Sequence, residues 1–359
     1  MKRMICAGFL ICLLLMSLAS CKQKQYREAL DLIEQGQIEA AFDALQALGE
    51  YRGTQELLTH FRYVPTKIEF CHGEERAVRE YTYDEHSLLE QIVVSQSDLI
   101  YFSEHFVYDA EGRIISQSQK NHSGMTKHKE DYTYDENGNL LSKVYIASDG
   151  SVHYRYEYTY DKGGNLICEA YEDLFGKSLT VHYTYDINGR LLRVAYTEDA
   201  STETEEYTYD ASGNMVRHVY ADDNGRETVK SCTYDAGGNL IREVEVYPDG
   251  DTWSRDYTYD TDGNMIRMVL TYPDGDIATV HYTYNANGNL IFEETIHTNG
   301  NRSTYEYACD DHGNKTKQVY TSRTGYTETY EYEYRLVYIP YSISAMTEEM
   351  WDIEWFFGK

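Results

Sequence analysis

Tyrosine pairs separated by a single residue are the feature of this sequence most suited to chemistry. Tyrosine makes up 37 of the 359 residues. Each ring offers an apolar face that can stack on a ligand and a hydroxyl that seeks a hydrogen-bond partner. Rows of such rings would form the core of a sheet if packed together, or would bind a glycan or a peptide if left open. The candidate ligand-binding rings are Tyr158, Tyr160, Tyr207, Tyr209, Tyr257 and Tyr259.

Aspartates follow these tyrosines, and one stretch has the alternating oxygen ligands that calcium needs. Residues 260–264 read Asp-Thr-Asp-Gly-Asn. An EF-hand loop has glycine at its sixth position and a bidentate glutamate at its twelfth, whereas here the glycine is fourth. Turn formation accounts for the same residues. The twelve histidines show no metal-ligand spacing. We therefore predict no metal site and no cofactor.

Catalytic motifs are the next class to consider. The sequence contains no nucleophile elbow, no phosphate-binding loop and no dinucleotide fingerprint. Sixty acidic residues on a curved sheet must sometimes lie close together, and paired carboxylates can perform acid-base chemistry. An enzyme with an unrecognised carboxylate site is therefore the third interpretation, behind two non-catalytic ones described below. We expect no enzymatic activity.

A long repeat carries the tyrosines. The string Tyr-Thr-Tyr-Asp, or a close variant, recurs every 24 to 26 residues. Such regular spacing indicates a repeat architecture. The motif ends at ten acidic or amide residues: Asp84, Asp109, Asp135, Asp161, Asp186, Asp210, Asp235, Asp260, Asn285 and Asp310.

Two turn signals divide each repeat into two strands. A glycine usually follows three residues after the motif aspartate, as at Gly138, and a second follows fifteen residues after it, as at Gly250. Residues 247–250 (Tyr-Pro-Asp-Gly) fit a type I turn closed by a left-handed glycine, which is a three-residue hairpin loop. Between the turns, residues 152–160 alternate polar and apolar or tyrosine side chains, as strands do. Neighbouring strands are therefore antiparallel.

These signals predict a mainly β protein. Residues 66–335 should form an elongated, curled antiparallel sheet of about 22 strands, built from two-strand repeats of about 25 residues. Open sheets of more than about ten strands usually curl or split, because twist accumulates from strand to strand. We expect a ribbon or half-pipe with tyrosines lining the inside.

The Tyr-Thr-Tyr-Asp and Gly-Asn-Leu pattern resembles the YD repeat of Rhs proteins and related toxin-complex shells. The resemblance implies the strand-turn-strand architecture over about residues 66–335. Large members of that family wind their strands into a hollow cocoon around a toxic C-terminal domain. The 270 repeat residues of this chain suggest a sheet too small for a closed shell. The resemblance also implies an alternative function, as an accessory (a shield or an immunity factor) of a YD-repeat toxin system.

Four cysteines lie downstream of residue 21, and two of them replace motif tyrosines. Cys232 lies three residues before Asp235, and Cys309 lies one residue before Asp310. They are three repeats apart, far beyond the reach of a disulfide in an unrolled sheet. We expect small buried side chains rather than a bridge.

The N terminus predicts export and lipid attachment. Lys2 and Arg3 precede an apolar run too short to span a bilayer, so residues 1–20 read as a signal peptide. Residues 18–21 (Leu-Ala-Ser-Cys) resemble the lipobox of bacterial lipoproteins, which implies acylation of Cys21 and cleavage before it. Acyl chains would hold the protein on the outer surface of a membrane.

Two short segments flank the repeats. Residues 21–65 show helical spacing and resemble one tetratricopeptide-like unit, which predicts a cap on the first repeat or a docking site. Residues 336–359, rich in aromatic and acidic side chains, should cap the last strand and shield its edge.

The net charge of the chain limits the classes of macromolecule that it could bind. Sixty acidic and 32 basic residues give a net charge of −28, which would repel a phosphate backbone and excludes nucleic acid. The leading interpretation is a lipid-anchored, non-catalytic scaffold at the cell surface, used for adhesion or for binding an extracellular glycan or protein.

Overall fold

The computed structural model describes residues 22–49, 51, 54–72, 75–84, 87–97, 99–199 and 201–338. The helical part comes first in the chain. Helix α1 covers residues 22–34, α2 covers Ile38–Leu48 and α3 covers Thr54–Leu58. Apolar residues three or four positions apart give α2 a buried face that includes Ala41, Leu45 and Leu48. No helix in these ranges has the length and hydrophobicity to cross a bilayer.

Twenty-two strands follow the helices, two in each repeat. In chain order they are β1 Phe61–His72, β2 Glu75–Tyr83, β3 Leu89–Gln96, β4 Leu99–Tyr108, β5 Ile114–Asn121, β6 Thr126–Tyr134, β7 Leu140–Ala147, β8 Val152–Tyr160, β9 Leu166–Asp173, β10 Ser178–Tyr185, β11 Leu191–Glu198, β12 Ser201–Tyr209, β13 Met215–Ala221, β14 Glu227–Tyr234, β15 Leu240–Val246, β16 Thr252–Tyr259, β17 Met265–Thr271, β18 Ile277–Tyr284, β19 Leu290–His297, β20 Arg302–Cys309, β21 Lys315–Thr321 and β22 Thr327–Tyr338.

The strands form a closed barrel. Each strand pairs antiparallel with the next, and β1 also pairs with β22, where Ile68 lies opposite Tyr332 and Phe70 opposite Tyr330. The antiparallel, mainly β fold is as predicted. The expected open, elongated and curled sheet is wrong, and so is the expectation that the repeats are too few to close.

Edge chemistry and twist together explain the closure. An open sheet would present two strands with unpaired N–H and C=O groups, and joining β1 to β22 removes both edges. The sequence predicts that twist curls the sheet, but the angle between strands decides whether its edges meet. Twenty-two strands about 4.8 Å apart give a perimeter of about 105 Å and, for a circular section, a diameter of about 34 Å.

The tyrosine-bearing face is the interior of the barrel. Along β8, Tyr154, Tyr156, Tyr158 and Tyr160 are partly buried, whereas the alternating residues between them are exposed. Side chains converge on the concave side of a closed sheet, so the less exposed face points inward. Most inward-facing side chains are nevertheless only partly buried, so the barrel is not filled by a solid core.

Among the described strands, a compact apolar core lies beside the closing seam. It contains Ile68 of β1, Tyr81 of β2, Leu89 and Ile92 of β3, and Phe102 of β4. Across the seam itself, the rings of Phe70 and Tyr330 lie 4.7 Å apart. These contacts hold the first and last strands together.

The boundary between helices and repeats differs from the prediction. Strand β1 begins at Phe61, five residues before the expected boundary at residue 66. Pro65 lies within β1, at a register shift between Pro65 and Lys67. Bulges tolerate proline because no ladder hydrogen bond is needed from its nitrogen. The helices pack against Phe61 of β1 and Leu336 of β22.

The two ends of the barrel differ. Turns that contain the motif aspartates lie at one end, the aspartate end, where β1 begins and β22 ends. The helices therefore pack at the aspartate end. The second set of hairpin turns, which includes Gly250 and Gly275, lies at the opposite end. The predicted capping segment, residues 336–359, begins inside β22, which extends to Tyr338, and residues 339–359 lie outside the described residues.

Candidate functional site

The motif aspartate holds its turn through its own side chain. In the turn between β8 and β9, Asp161 Oδ1 accepts the main-chain N–H groups of Gly163 and Asn165 at 2.7 and 2.9 Å. The amide Nδ2 of Asn165 donates to Asp161 Oδ2 at 2.9 Å. Gly164 completes the turn with a φ of +86°, which suits glycine. These bonds lower the pKa of Asp161. Turn chemistry thus accounts for the residues that suggested calcium.

At nine of the ten motif positions the residue before the motif Asp or Asn is a tyrosine that bonds to the main chain of the preceding strand, and Cys309 takes this place before Asp310. Each tyrosine hydroxyl donates to a carbonyl oxygen 18 to 20 residues earlier, at 2.7 to 3.0 Å. We call these residues the collar tyrosines. The described members are Tyr83, Tyr108, Tyr134, Tyr160, Tyr185, Tyr209, Tyr234, Tyr259 and Tyr284.

Three of the six predicted ligand-binding rings belong to this collar. Tyr160, Tyr209 and Tyr259 donate to the carbonyls of Leu140, Leu191 and Leu240, respectively. The Arg190 guanidinium also lies over the Tyr209 ring, 5.0 Å from its centre. Their hydroxyls are therefore committed to the fold, and only their ring faces are left for a ligand.

The other three predicted rings lie deeper in the barrel, two residues earlier on each strand. The Tyr207 hydroxyl donates to the Glu205 carboxylate, and its ring stacks on His218 with centres 4.6 Å apart. The Tyr257 hydroxyl donates to Glu243. Burial, and then these acceptors, raise the pKa of both tyrosines. They stay neutral donors at physiological pH.

Tyr158, the third deep ring, belongs to the largest group of aromatic contacts on the interior. Tyr145 of β7 stacks on Tyr154 of β8 with ring centres 4.7 Å apart, and Tyr154 contacts Tyr171 of β9 at 6.1 Å. Tyr156 lies 5.0 Å from Tyr171 and 6.3 Å from Tyr158. We call these five residues the tyrosine platform: Tyr145, Tyr154, Tyr156, Tyr158 and Tyr171.

Unbonded hydroxyls distinguish the platform from the collar. Tyr154 donates to Glu130 at 3.2 Å. The other four platform hydroxyls have no hydrogen-bond partner among the described residues, and none of them is sealed from solvent. All five rings are partly exposed. The platform can therefore offer both stacking faces and free hydroxyl groups to a ligand.

Sequence reasoning identified Tyr158 but missed the other platform members. Tyr154 and Tyr156 lie in the same alternating run, and this run was the available signal for them. Tyr145 and Tyr171 follow Asp135 and Asp161 by ten residues, as Tyr196 and Tyr220 follow the next two motif aspartates. This second periodicity would have identified the returning-strand rings.

Clefts at the opposite end of the barrel contain converging carboxylates. One of them measures about 840 Å³ and is lined by residues that include Glu203, Asp222 and Asp249. Asp222 Oδ1 accepts the main-chain N–H groups of Asn224 and Arg226 at 3.0 and 2.8 Å. The Tyr220 hydroxyl donates to Glu203 at 2.6 Å. These carboxylates are engaged in turns and strand contacts.

The histidine, cysteine and acidic side chains of the described residues form neither a metal-binding cluster nor a disulfide. Within the described ranges, no three His, Cys, Asp or Glu side chains lie close enough to hold a metal ion. Cys232 is buried and Cys309 partly buried, as expected for replacements of tyrosine, and the described cysteines are free thiols. The predicted lipidation site, Cys21, lies outside the described residues.

The chain resembles several solved structures at low sequence identity. Two solved structures that resemble the chain are the complex TcdB2-TccC3-Cdc42, at 14% identity, and a porin-like protein from Bacteroides uniformis, at 15%. The TM-score is 0.30 for each. The matches cover 70% and 76% of this chain, but 16% of the first structure and 96% of the second. A search of the curated proteins returned no match.

The repeat itself has a family match. The model of the Teneurin YD-shell family matches residues 52–174 and 167–345. These ranges include all 22 strands, the motif aspartates and the collar tyrosines. The match confirms the YD-repeat resemblance that the motif indicated. The chain therefore belongs to the Teneurin YD-shell family.

Proposed function

We propose that this chain is a lipid-anchored, non-catalytic shell that binds an extracellular glycan at its tyrosine platform. The observation that carries the proposal is the platform itself, which combines five partly exposed rings with four unbonded hydroxyls. Aromatic faces stack on the apolar faces of sugar rings, and free hydroxyls exchange hydrogen bonds with sugar hydroxyls. A peptide could use the same rings, so the experiment below includes a peptide.

The position of the helices supports a defined orientation on the membrane. Cys21, the proposed lipid site, directly precedes α1, and the helices pack at the aspartate end of the barrel. Lys22, Lys24 and Arg27 lie at the start of α1, where they suit contact with anionic headgroups. The aspartate end would then face the membrane, and the opposite end would face the surroundings.

Carboxylate geometry supports a non-catalytic role. General acid-base catalysis needs carboxyl groups free to exchange protons with a substrate. In the 840 Å³ cleft, Asp222 and Asp249 accept N–H groups within their own turns, and Glu203 accepts the Tyr220 hydroxyl. These three groups serve the fold.

Glycan binding can be tested with the lipid-free ectodomain, beginning at residue 22, on an array of oligosaccharides and lysine peptides. The test variant combines Tyr156→Leu and Tyr171→Leu, which removes two platform rings and keeps apolar volume at both positions. Affinity should fall about tenfold or more, because each lost ring contact is worth about 1 kcal/mol.

A matched control is Tyr282→Leu, since Tyr282 lies in the same deep row as Tyr158 but outside the platform. Its affinity should equal that of the parent. Thermal unfolding must show that all variants fold. Equal binding by parent and platform variant, or binding to lysine peptides alone, would overturn the proposal.

An accessory role in a YD-repeat toxin system is the second candidate. The observation that favours it is the closed, incompletely filled interior, which the open sheet expected from the sequence would lack. A shell of this kind could hold a polypeptide segment. Purification from the native host followed by mass spectrometry should then recover a bound toxin polypeptide, and recovery of glycan alone would rule this role out.

A further inference from the structure

One carboxylate beside the tyrosine platform has no ionic partner. Glu169 of β9 faces the interior directly opposite Tyr158 of β8. Its Oε2 accepts the Tyr183 hydroxyl at 3.2 Å, and no described Lys, Arg or His forms an ion pair with it. Its charge contributes to raising the pKa of Tyr156 and Tyr158, second to burial in the case of Tyr158. The negative charge of Glu169 therefore acts on the platform rings themselves.

Three other interior glutamates each have a basic side chain beside them, whereas Glu293, away from the platform, forms no ion pair among the described residues. Lys143 Nζ lies 3.0 Å from Glu130 Oε1. Arg255 Nη1 lies 3.3 Å from Glu243 Oε2, and His218 Nε2 lies 2.8 Å from Glu205 Oε2. Lys143, which lies opposite Tyr156 on β7, is thus paired with Glu130.

Two histidine rings lie beside Tyr145, and the centre of the His153 ring is 5.8 Å away. The other, His128, adds no positive charge to the platform. The His128 ring stacks on Tyr145 with centres 5.0 Å apart. Burial lowers the pKa of His128, which keeps the ring neutral at physiological pH. The platform is thus an aromatic surface with one uncompensated negative charge.

This arrangement has the two components that bind an ammonium group. Ring faces attract a cation through their quadrupole, and a carboxylate supplies the opposite charge and accepts its N–H groups. A neutral sugar would leave the charge of Glu169 without an ionic partner, and an anionic sugar would be repelled by that charge. A ligand with a protonated amine would satisfy both components.

We propose that the tyrosine platform selects an amino-sugar glycan, with the ammonium group of one sugar placed between Glu169 and the faces of Tyr156 and Tyr158. The inference rests on the proposed glycan-binding function and specifies its ligand. A sugar is favoured over a lysine side chain because four platform hydroxyls are free to bond a polyhydroxylated partner.

The test uses three oligosaccharides of equal length with the same β-1,4 backbone. They carry an ammonium, an acetamido or a hydroxyl group at carbon 2: oligomers of glucosamine, N-acetylglucosamine and glucose. Calorimetry with the parent ectodomain should show the glucosamine oligomer binding about tenfold tighter than the other two. The preference should shrink as salt concentration rises.

Two conservative variants isolate the charge. Glu169→Gln keeps the size of the side chain and should abolish the preference, so that the three oligomers bind this variant with similar affinity. Glu293→Gln removes another interior carboxylate, outside the platform, and should keep the preference.

The outcomes separate this inference from the proposed function. Equal affinity for all three oligosaccharides would overturn the amino-sugar inference and leave glycan binding in place. A preference that survives Glu169→Gln would also overturn it. Failure of all three to bind, with or without binding of a tetralysine peptide, would overturn both.

Discussion

The Tyr160 hydroxyl donates a hydrogen bond of 3.0 Å to the carbonyl of Leu140. Tyr156, on the same face of the same strand, has no hydroxyl partner among the described residues. Two tyrosines four residues apart thus have different roles. One joins neighbouring strands, and the other is left for a ligand.

Stability should distinguish these two tyrosines. Tyr160→Phe removes the donor and leaves the Leu140 carbonyl without this bond, so the free energy of unfolding should fall by about 1 kcal/mol. Tyr156→Phe removes a hydroxyl that has no partner and should change it by less than about 0.5 kcal/mol. Denaturant unfolding measures both. Equal losses would show that Tyr160 does not stabilise the fold through its hydroxyl.

Acid should weaken the turns of the repeat. Hydrogen bonds to the carboxylate lower the pKa of Asp161 and of Asp260 in the folded protein. Their stabilisation is therefore present above the ordinary aspartate pKa and is lost as pH falls through the lowered value. The melting temperature should decline over that acidic range.

Asn285 provides a natural reference for this effect. It occupies the motif position and accepts the N–H groups of Asn287 and Asn289 at 3.0 Å, but it cannot titrate there. Asn285→Asp should steepen the loss of stability in acid, and Asp161→Asn should make it shallower. Melting curves across pH measure the slopes. Identical slopes in parent and variants would contradict the assignment.

Glu293 should destabilise the folded barrel at neutral pH. Burial alone raises its pKa, so the folded state binds its proton more tightly than the unfolded state. The associated stability is present below the ordinary glutamate pKa and is lost as pH rises through the raised value. Glu293→Gln should therefore raise the melting temperature at neutral pH and have little effect in acid. A lower melting temperature at neutral pH would show that its charge is compensated.

The seam between β1 and β22 should depend on one ring pair. Phe70 and Tyr330 are each 7% exposed. Phe70→Ala leaves a cavity and should cost about 3 to 5 kcal/mol. Amide hydrogen exchange should become faster in β1 and β22 before it does so in the other strands.

A matched control for the seam is Tyr320→Ala. Its ring contacts Tyr305 of β20 at 4.9 Å, and its strand β21 is one strand removed from the β1–β22 pair. This variant should lower stability without selectively accelerating exchange in β1. Uniform acceleration in both variants would show that the barrel opens as a whole rather than at the seam.

The turns and strands of this fold could be predicted because residues close together in the sequence determine them. The motif aspartates and the glycines three residues later specify turns, and the turns specify antiparallel strands. Twist and closure are different, because they depend on small angles summed over 22 strands. Pro65 is a similar case. It lies in a strand because β1 pairs with β22 from the far end of the chain, and the register shift next to Pro65 belongs to that pair.

The candidate site could be predicted only in part, for a similar reason. The tyrosine rows were visible, but the partner of each hydroxyl lies on another strand. Tyr160 and Tyr158 look equivalent in sequence. The Tyr160 hydroxyl donates to the carbonyl of Leu140, whereas the Tyr158 hydroxyl has no hydrogen-bond partner among the described residues. Glu169 became informative only when the register placed it opposite Tyr158.

Closure of the barrel through an antiparallel β1–β22 pair constrains how the chain can change in evolution. Every repeat contributes two strands, so duplication or deletion of a whole repeat keeps the strand number even and preserves the antiparallel junction. Loss of a single strand would force a parallel junction instead. Each added repeat would widen a circular barrel by about 3 Å. Homologues with different repeat numbers would then enclose ligands of different cross-section.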